Sequence, residues 1–169
     1  VLDRVVKAHE FMESDIIVEI TGDCPLTDPQ IIDLGVETFL CHDVDVVTNC
    51  GSFKTWPMGQ YVQVFPYKLL KDINQRIDDY AVHEHVSLYF YEHPEIYNIF
   101  ELIAPKRWRE PTWRFQLDYP EDLQFQRIIH NELMPKYGSC FGIEEVIQII
   151  REMPHLLNIN KHCKEKSTR

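Results

Sequence analysis

Strand-like apolar runs alternate with amphipathic helical segments along this 169-residue chain. Residues 16–20 form a nearly continuous apolar run, as a buried strand does, whereas residues 1–11 and 120–133 repeat their apolar side chains at helical spacing. Such alternation is typical of an α/β domain in which a mainly parallel sheet lies between two layers of helices. We therefore expect one three-layer α/β domain over residues 1–169, without internal repeats.

The boundaries of the predicted elements follow from the same patterns and from turn-forming residues. Asp28 and Pro29 suit the cap and the first position of one helix. Strands are predicted at 16–20, 45–49, 61–65, 96–103 and 113–117, and helices at 1–11, 30–41, 66–73, 79–92, 120–133 and 143–151.

Composition excludes several classes of function. Seventeen Lys and Arg against 27 Asp and Glu leave a formal charge of -10, which disfavours binding to nucleic acid through a phosphate-facing surface. No apolar run approaches the length that spans a bilayer, and no secretion signal is visible, so no membrane partner and a cytoplasmic location are expected. The five widely spaced cysteines predict reduced, mostly buried thiols.

Two aspartates share one arrangement. Asp23 follows the predicted strand 16–20 and Asp118 follows 113–117, and each precedes a proline by two residues. In open α/β sheets ligands bind beyond the carboxyl ends of the strands, so both carboxylates are expected in one crevice. A pair of carboxylates there suits Mg²⁺ that also takes substrate phosphates. The alternative is that both are only turn or cap residues.

Three motifs carry a family resemblance. Residues 21–29, T-G-D-C-P-L-T-D-P, resemble the T-G-D-x-P-L-x-D-P segment of cytidylyltransferases of the spore-coat polysaccharide type and, more remotely, of CMP-KDO and CMP-acylneuraminate synthetases. Residues 117–123, L-D-Y-P-E-D-L, are similar to that superfamily's V-D-x-P-E-D-L, and residues 84–86, E-H-V, to its R-E-H-V. The motifs occur in the family's order, which implies a nucleotide-diphospho-sugar transferase-like fold.

The resemblance implies an activity and a set of residues for the nucleotide. Members of this superfamily transfer CMP from CTP to a sugar or sugar acid and release pyrophosphate, here for surface polysaccharide biosynthesis. By this resemblance Asp23 and Asp118 hold the catalytic Mg²⁺, while Thr21, Gly22 and Asp23 bind the nucleotide. The absence of a side chain on Gly22 is expected to let the backbone approach the ligand.

The acceptor is assigned to the middle of the chain. The predicted strand 61–65 turns Tyr61 and Gln63 to one face, and in the resembled family this region, together with Glu84 and His85, frames the acceptor sugar. The alternative is that Gln63 occupies a solvent-facing strand position and that His85 satisfies a buried carbonyl. CTP and a sugar or sugar-acid acceptor are the expected partners, with a homodimer left open.

The resemblance is incomplete at the start of the chain. This sequence does not contain the family's nucleotide-binding loop, which has a sequence similar to L-Q-A-R-x-x-S-x-R-L-P-G-K. The given residues begin directly with a helical pattern. We therefore expect the chain to be the C-terminal portion of an N-terminally truncated cytidylyltransferase-like domain. The competing hypothesis is a catalytically inactive module that binds a sugar nucleotide or a partner protein.

Overall fold

A computed structural model describes residues 1–165 and shows alternating helices and strands. The helices are α1 Leu2–Phe11, α2 Pro29–Cys41, α3 Tyr67–Arg76, α4 Tyr80–Glu84, α5 Leu88–Glu92, α6 Pro120–Tyr137 and α7 Ile143–Glu152; the strands are β1 Ile16–Glu19, β2 Val46–Thr48, β3 Gln63–Pro66 and β4 Ile99–Glu101. Short 3₁₀ turns cover Lys106–Trp108 and Pro154–Asn158. Within residues 1–165 no helix combines the length and apolarity needed to cross a membrane.

The four strands form one mixed sheet in the order β1-β3-β2-β4. β2 and β4 pair in parallel, whereas β3 runs antiparallel to both β1 and β2. Three of the four strands therefore share one direction, and the predicted α/β class is confirmed. The expectation of a mainly parallel sheet needs one correction, because two of the three pairings are antiparallel. β3 follows β2 without an intervening helix, and antiparallel neighbours need no helical crossover.

Helices cover both faces of the sheet. Alternation along β3 sends Phe65 to one side and Val64 to the other. Phe65 packs in a core with residues of α1, α3, α4 and α5, while Val64 packs with residues of α2 and α7. A third cluster joins α6 to α7 around Phe115 and Phe125. The three-layer arrangement expected from the sequence is therefore present.

The predicted strand 113–117 is wrong. The segment is extended, but it makes one isolated parallel bridge, between Met58 and Arg114. Phe115 N donates to Met58 O at 2.7 Å, and the side chain of Asn160 donates to Arg114 O at 3.1 Å. The side chain of Gln126 donates likewise to Phe115 O, so side chains satisfy two carbonyls that a neighbouring strand satisfies in a sheet.

The predicted helix 79–92 is two helices, because α4 ends at Glu84 and α5 begins at Leu88. His85 between them is extended, with φ -108° and ψ 93°. Val82, Val86 and Phe90 are all buried at a spacing of four residues, as in a continuous helix. The hydrophobic pattern therefore could not reveal the break.

All five cysteines are free thiols, as predicted, but the expectation that most are buried is wrong. Cys24 is buried, Cys50 and Cys163 are partly exposed, and Cys41 and Cys140 are exposed. Cys41 is the last residue of α2, and Cys140 lies in the connection between α6 and α7. The Lys-rich composition from residue 161 onward predicts a frayed tail. Residues 161–165 are described, and the rest of that prediction lies outside the described residues.

Candidate functional site

Asp23 lies in the loop that follows β1, next to the segment that leads to Asp118. Its backbone oxygen accepts a hydrogen bond from Leu117 N at 2.8 Å, and its Oδ2 accepts one from Gln116 Nε2 at 2.7 Å. Because Leu117 directly precedes Asp118, these bonds hold the two predicted metal-binding segments side by side. No sequence motif marks Gln116.

A buried ionic cluster orients Asp118. Arg114, which is 4% exposed, donates from Nη2 to Asp118 Oδ2 at 2.6 Å. The same guanidinium binds Asp122, from Nε to Oδ1 at 2.9 Å and from Nη2 to Oδ2 at 3.0 Å. Asp122 in turn accepts from the backbone N of Asp118 and of Tyr119, both at 3.0 Å. Charge-assisted bonds of this kind fix both the backbone and the carboxylate of Asp118.

Arg114 and Asp122 are functional candidates that the sequence motifs did not single out. The only signal was the P-E-D-L part of the motif, in which Asp122 stands at the third position of α6. Burial alone would raise the pKa of Asp122, but hydrogen bonds from Arg114 and the backbone outweigh that cost and lower it. Asp122 is therefore a charged anchor within the fold.

The thiol of Cys24 interacts electrostatically with both aspartates. Burial raises the pKa of the Cys24 thiol to about 12, and the negative charges of Asp23 and Asp118 add to the shift. Burial would also raise the pKa of Asp23, but hydrogen bonds from Thr21 and Gln116 lower it overall. At neutral pH Cys24 is thus a neutral thiol, unsuited to nucleophilic attack, and Asp23 is ionised.

The donor set fits Mg²⁺. Carboxylates from two neighbouring segments are the ligands Mg²⁺ takes when water and substrate phosphates complete its octahedral shell. Arg114 occupies Oδ2 of Asp118, and the side chain of Asp118 keeps 26% of its surface exposed. The assignment of Asp23 and Asp118 as metal ligands stays a prediction.

The residues predicted to bind the acceptor lie around one cavity of about 1390 Å³. Tyr61, Gln63, Glu84 and His85 all line it, together with Thr21. The structure thus brings the middle of the chain next to the loop that carries Asp23. Their contact with a ligand stays a prediction.

Two of the alternatives raised for these residues are wrong. Gln63 is 8% exposed and its Oε1 accepts a hydrogen bond from the Tyr91 hydroxyl, so it does not face bulk solvent. His85 is exposed on the cavity wall, which does not suit a buried histidine that satisfies a carbonyl. At Gly22 an added Cβ would meet nothing within 4 Å, so the expected close approach of a ligand to this backbone stays a prediction.

A row of polar side chains crosses the sheet at the floor of this cavity, and the sequence did not reveal it. In the strand register Glu19 faces Gln63, Gln63 faces Thr48, and Thr48 faces Glu101. Glu19 Oε2 is buried and has no hydrogen-bond partner among the described residues. Burial raises the pKa of Glu19 to about 7, although a hydrogen bond with Ser87 partly opposes this increase.

Glu19→Gln should change how stability depends on pH. Because the folded-state pKa of Glu19 lies above its unfolded value, the folded protein holds a proton that the unfolded chain has lost between about pH 4.5 and 7. Wild-type stability therefore falls as pH rises through that window, by about 3 kcal/mol in the free energy of unfolding, and the glutamine variant escapes this loss.

The measurement is urea unfolding of both proteins from pH 4.5 to pH 8, with Glu37→Gln on the exposed face of α2 as control. The stability difference between Glu19→Gln and wild type should grow with pH, while the control stays parallel to wild type. Parallel curves for all three proteins would show that Glu19 titrates normally.

The mixed sheet between two helical layers, with aspartates beyond β1 and before α6, defines an α/β domain of the nucleotide-diphospho-sugar transferase type. Its backbone matches that of a cytidylyltransferase from Leptospira borgpetersenii serovar Hardjo-bovis with a TM-score of 0.85 and 25% sequence identity, over 98% of this chain and 67% of that one. Residues 1–158 match the family model described as Cytidylyltransferase. The chain belongs to the cytidylyltransferase family.

Two relatives show how much of a family member the chain represents. It is 31% identical over its whole length to an uncharacterized protein of Methanocaldococcus jannaschii, of which it spans 67%. It is 32% identical over 134 residues to the spore coat polysaccharide biosynthesis protein SpsF of Bacillus subtilis, covering 78% of this chain and 54% of that protein. The chain therefore spans between about half and two-thirds of these relatives.

Proposed function

We propose that the whole protein is a Mg²⁺-dependent cytidylyltransferase that transfers CMP from CTP to a sugar or sugar acid for surface polysaccharide biosynthesis. The observation that carries the proposal is the hydrogen bond from Leu117 N to Asp23 O, which sets the Asp118 segment beside Asp23 in a member of this family. The similarity to SpsF supports the polysaccharide pathway. The cytoplasmic location and the homodimer stay predictions.

In this reaction an acceptor oxygen attacks the α-phosphorus of CTP, the bond to the bridging oxygen breaks, and pyrophosphate leaves. Mg²⁺ held by Asp23 and Asp118 would offset the charge of the phosphates. Gln116 holds the carboxylate of Asp23, and Arg114 holds that of Asp118. No covalent intermediate is needed, because positioning and charge neutralisation supply most of the catalysis in phosphoryl transfer.

The acceptor would occupy the cavity beside Thr21. Tyr91 donates its hydroxyl proton to the amide oxygen of Gln63, which leaves the NH₂ of Gln63 as a donor for a sugar oxygen. Tyr61 supplies a phenol at the same wall, and burial raises its pKa, so the phenol stays protonated at neutral pH. Tyr61 and Gln63 therefore offer hydrogen-bond donors on a wall that also carries carboxylates such as that of Glu84, which suits an acceptor with several hydroxyl groups.

The test is pyrophosphate release by the whole protein with CTP, Mg²⁺ and a panel of sugars, sugar phosphates and sugar acids. Release should require all three components, stop with a chelator, and accompany a CMP-linked product detected by mass spectrometry. ATP, GTP and UTP are the matched controls. Saturable binding of CTP or a CMP-sugar without any turnover would contradict the transferase and favour the inactive binding module.

A further inference from the structure

A mixed set of metal-binding side chains lies at the start of α6, outside the proposed transferase site. Glu121 is in the first turn of α6, and His162 and Cys163 follow the turn at Pro154–Asn158. One ligand atom from each lies within 4.8 Å of the other two. We propose that Glu121, His162 and Cys163 form a binding site for a thiophilic divalent cation, with Zn²⁺ as the ion and water as the fourth ligand.

The spacing of the donors suits a tetrahedral ion. Zinc bonds to nitrogen, oxygen and sulfur of 2.0–2.3 Å place neighbouring ligand atoms roughly 3.3–3.8 Å apart. His162 Nε2 and Glu121 Oε1 are 3.6 Å apart, which is longer than an ordinary hydrogen bond and matches the separation across a metal. The ligand atoms of the remaining pairs lie within 4.8 Å of each other, and none of the three side chains is buried, so they are free to move the short distance into this range.

The segment that carries two of the ligands is tied to the helix that carries the third. Asn160 is 1% exposed and donates from Nδ2 to Asp122 Oδ1 at 2.9 Å. The Tyr119 hydroxyl donates to Lys164 O at 3.2 Å. These bonds bracket His162 and Cys163 in sequence and hold them near Glu121, so little of the backbone remains to be ordered when a metal binds.

The chemistry of the donors separates this site from the Mg²⁺ ligands. Thiolate and imidazole favour zinc, whereas Mg²⁺ takes oxygen ligands. His162 and Cys163 also fall outside residues 1–158, which match the family model. Two of the three donors therefore lie beyond the part of the chain that the family model matches.

The test is zinc binding by the untagged whole protein after chelator treatment, measured by competition with a chromogenic zinc indicator. Excess Mg²⁺ is present throughout to occupy carboxylate sites. Wild type should bind one zinc per chain, and Cys163→Ser and His162→Ala should each weaken binding by roughly tenfold or more. Cys140→Ser, which removes an exposed thiol elsewhere, should bind as wild type does.

Cobalt supplies a second readout. Co²⁺ bound by wild type should show a thiolate charge-transfer band that Cys163→Ser lacks and Cys140→Ser keeps, with circular dichroism confirming that each variant is folded. Absence of stoichiometric zinc in wild type, or unchanged binding by folded Cys163→Ser, would overturn the proposal. Neither readout involves CTP, so its failure leaves the proposed transferase function untouched.

Discussion

Asp118→Asn is expected to reduce turnover of the whole enzyme by about 100-fold or more, because it removes one negative charge from the proposed Mg²⁺ site. The substitution preserves volume. Arg114 keeps both of its bonds to Asp122, so the variant should fold. Turnover loss without unfolding is the result that separates a metal ligand from a residue that only supports the loop.

The measurement is pyrophosphate release against Mg²⁺ concentration, with Asp33→Asn on the exposed side of α2 as the matched control. The Asp118 variant should need more Mg²⁺ and reach a lower maximum, whereas the control should follow wild type. Wild-type turnover by Asp118→Asn at limiting Mg²⁺ would show that Asp118 does not hold the metal.

Asp122→Ala should destabilise the fold by about 3–5 kcal/mol, the range observed when one partner of a buried ion pair is removed. Asp122 is fully buried and accepts five hydrogen bonds, from Arg114, Asn160 and the backbone of Asp118 and Tyr119. The alanine leaves those donors without an acceptor and leaves the buried Arg114 with Asp118 as its remaining ionic partner.

Urea unfolding measures this effect, and Glu132→Ala on the exposed face of α6 is the control. The control removes a carboxylate from the same helix and should change the free energy of unfolding by less than about 0.5 kcal/mol. A loss below about 1 kcal/mol in Asp122→Ala would mean that water replaces the five bonds and that the cluster is not an anchor.

The site was only partly visible in the sequence. Asp23 and Asp118 each follow an extended segment and precede a proline, so their type and position could be recognised without coordinates. Arg114, Gln116 and Asn160 carry no such mark, because a side chain becomes a partner only when the chain brings it within hydrogen-bonding distance. Glu19 shows the same limit, since its burial depends on the helices packed over the sheet.

By itself, the sequence determined the α/β class, the strand after α1 and the order of the three motifs, because hydrophobic period and turn residues act over a few neighbouring residues. The tertiary structure alone decided that β3 runs antiparallel, that 113–117 makes one bridge instead of a strand, and that the helix 79–92 breaks at His85. These outcomes depend on hydrogen bonds and packing between residues far apart in the chain, such as Asn160 to Arg114 and Met58 to Phe115. A local sequence pattern does not predict such pairings, because the backbone N–H and C=O groups of an extended segment can be hydrogen-bonded either by a neighbouring strand or by side chains.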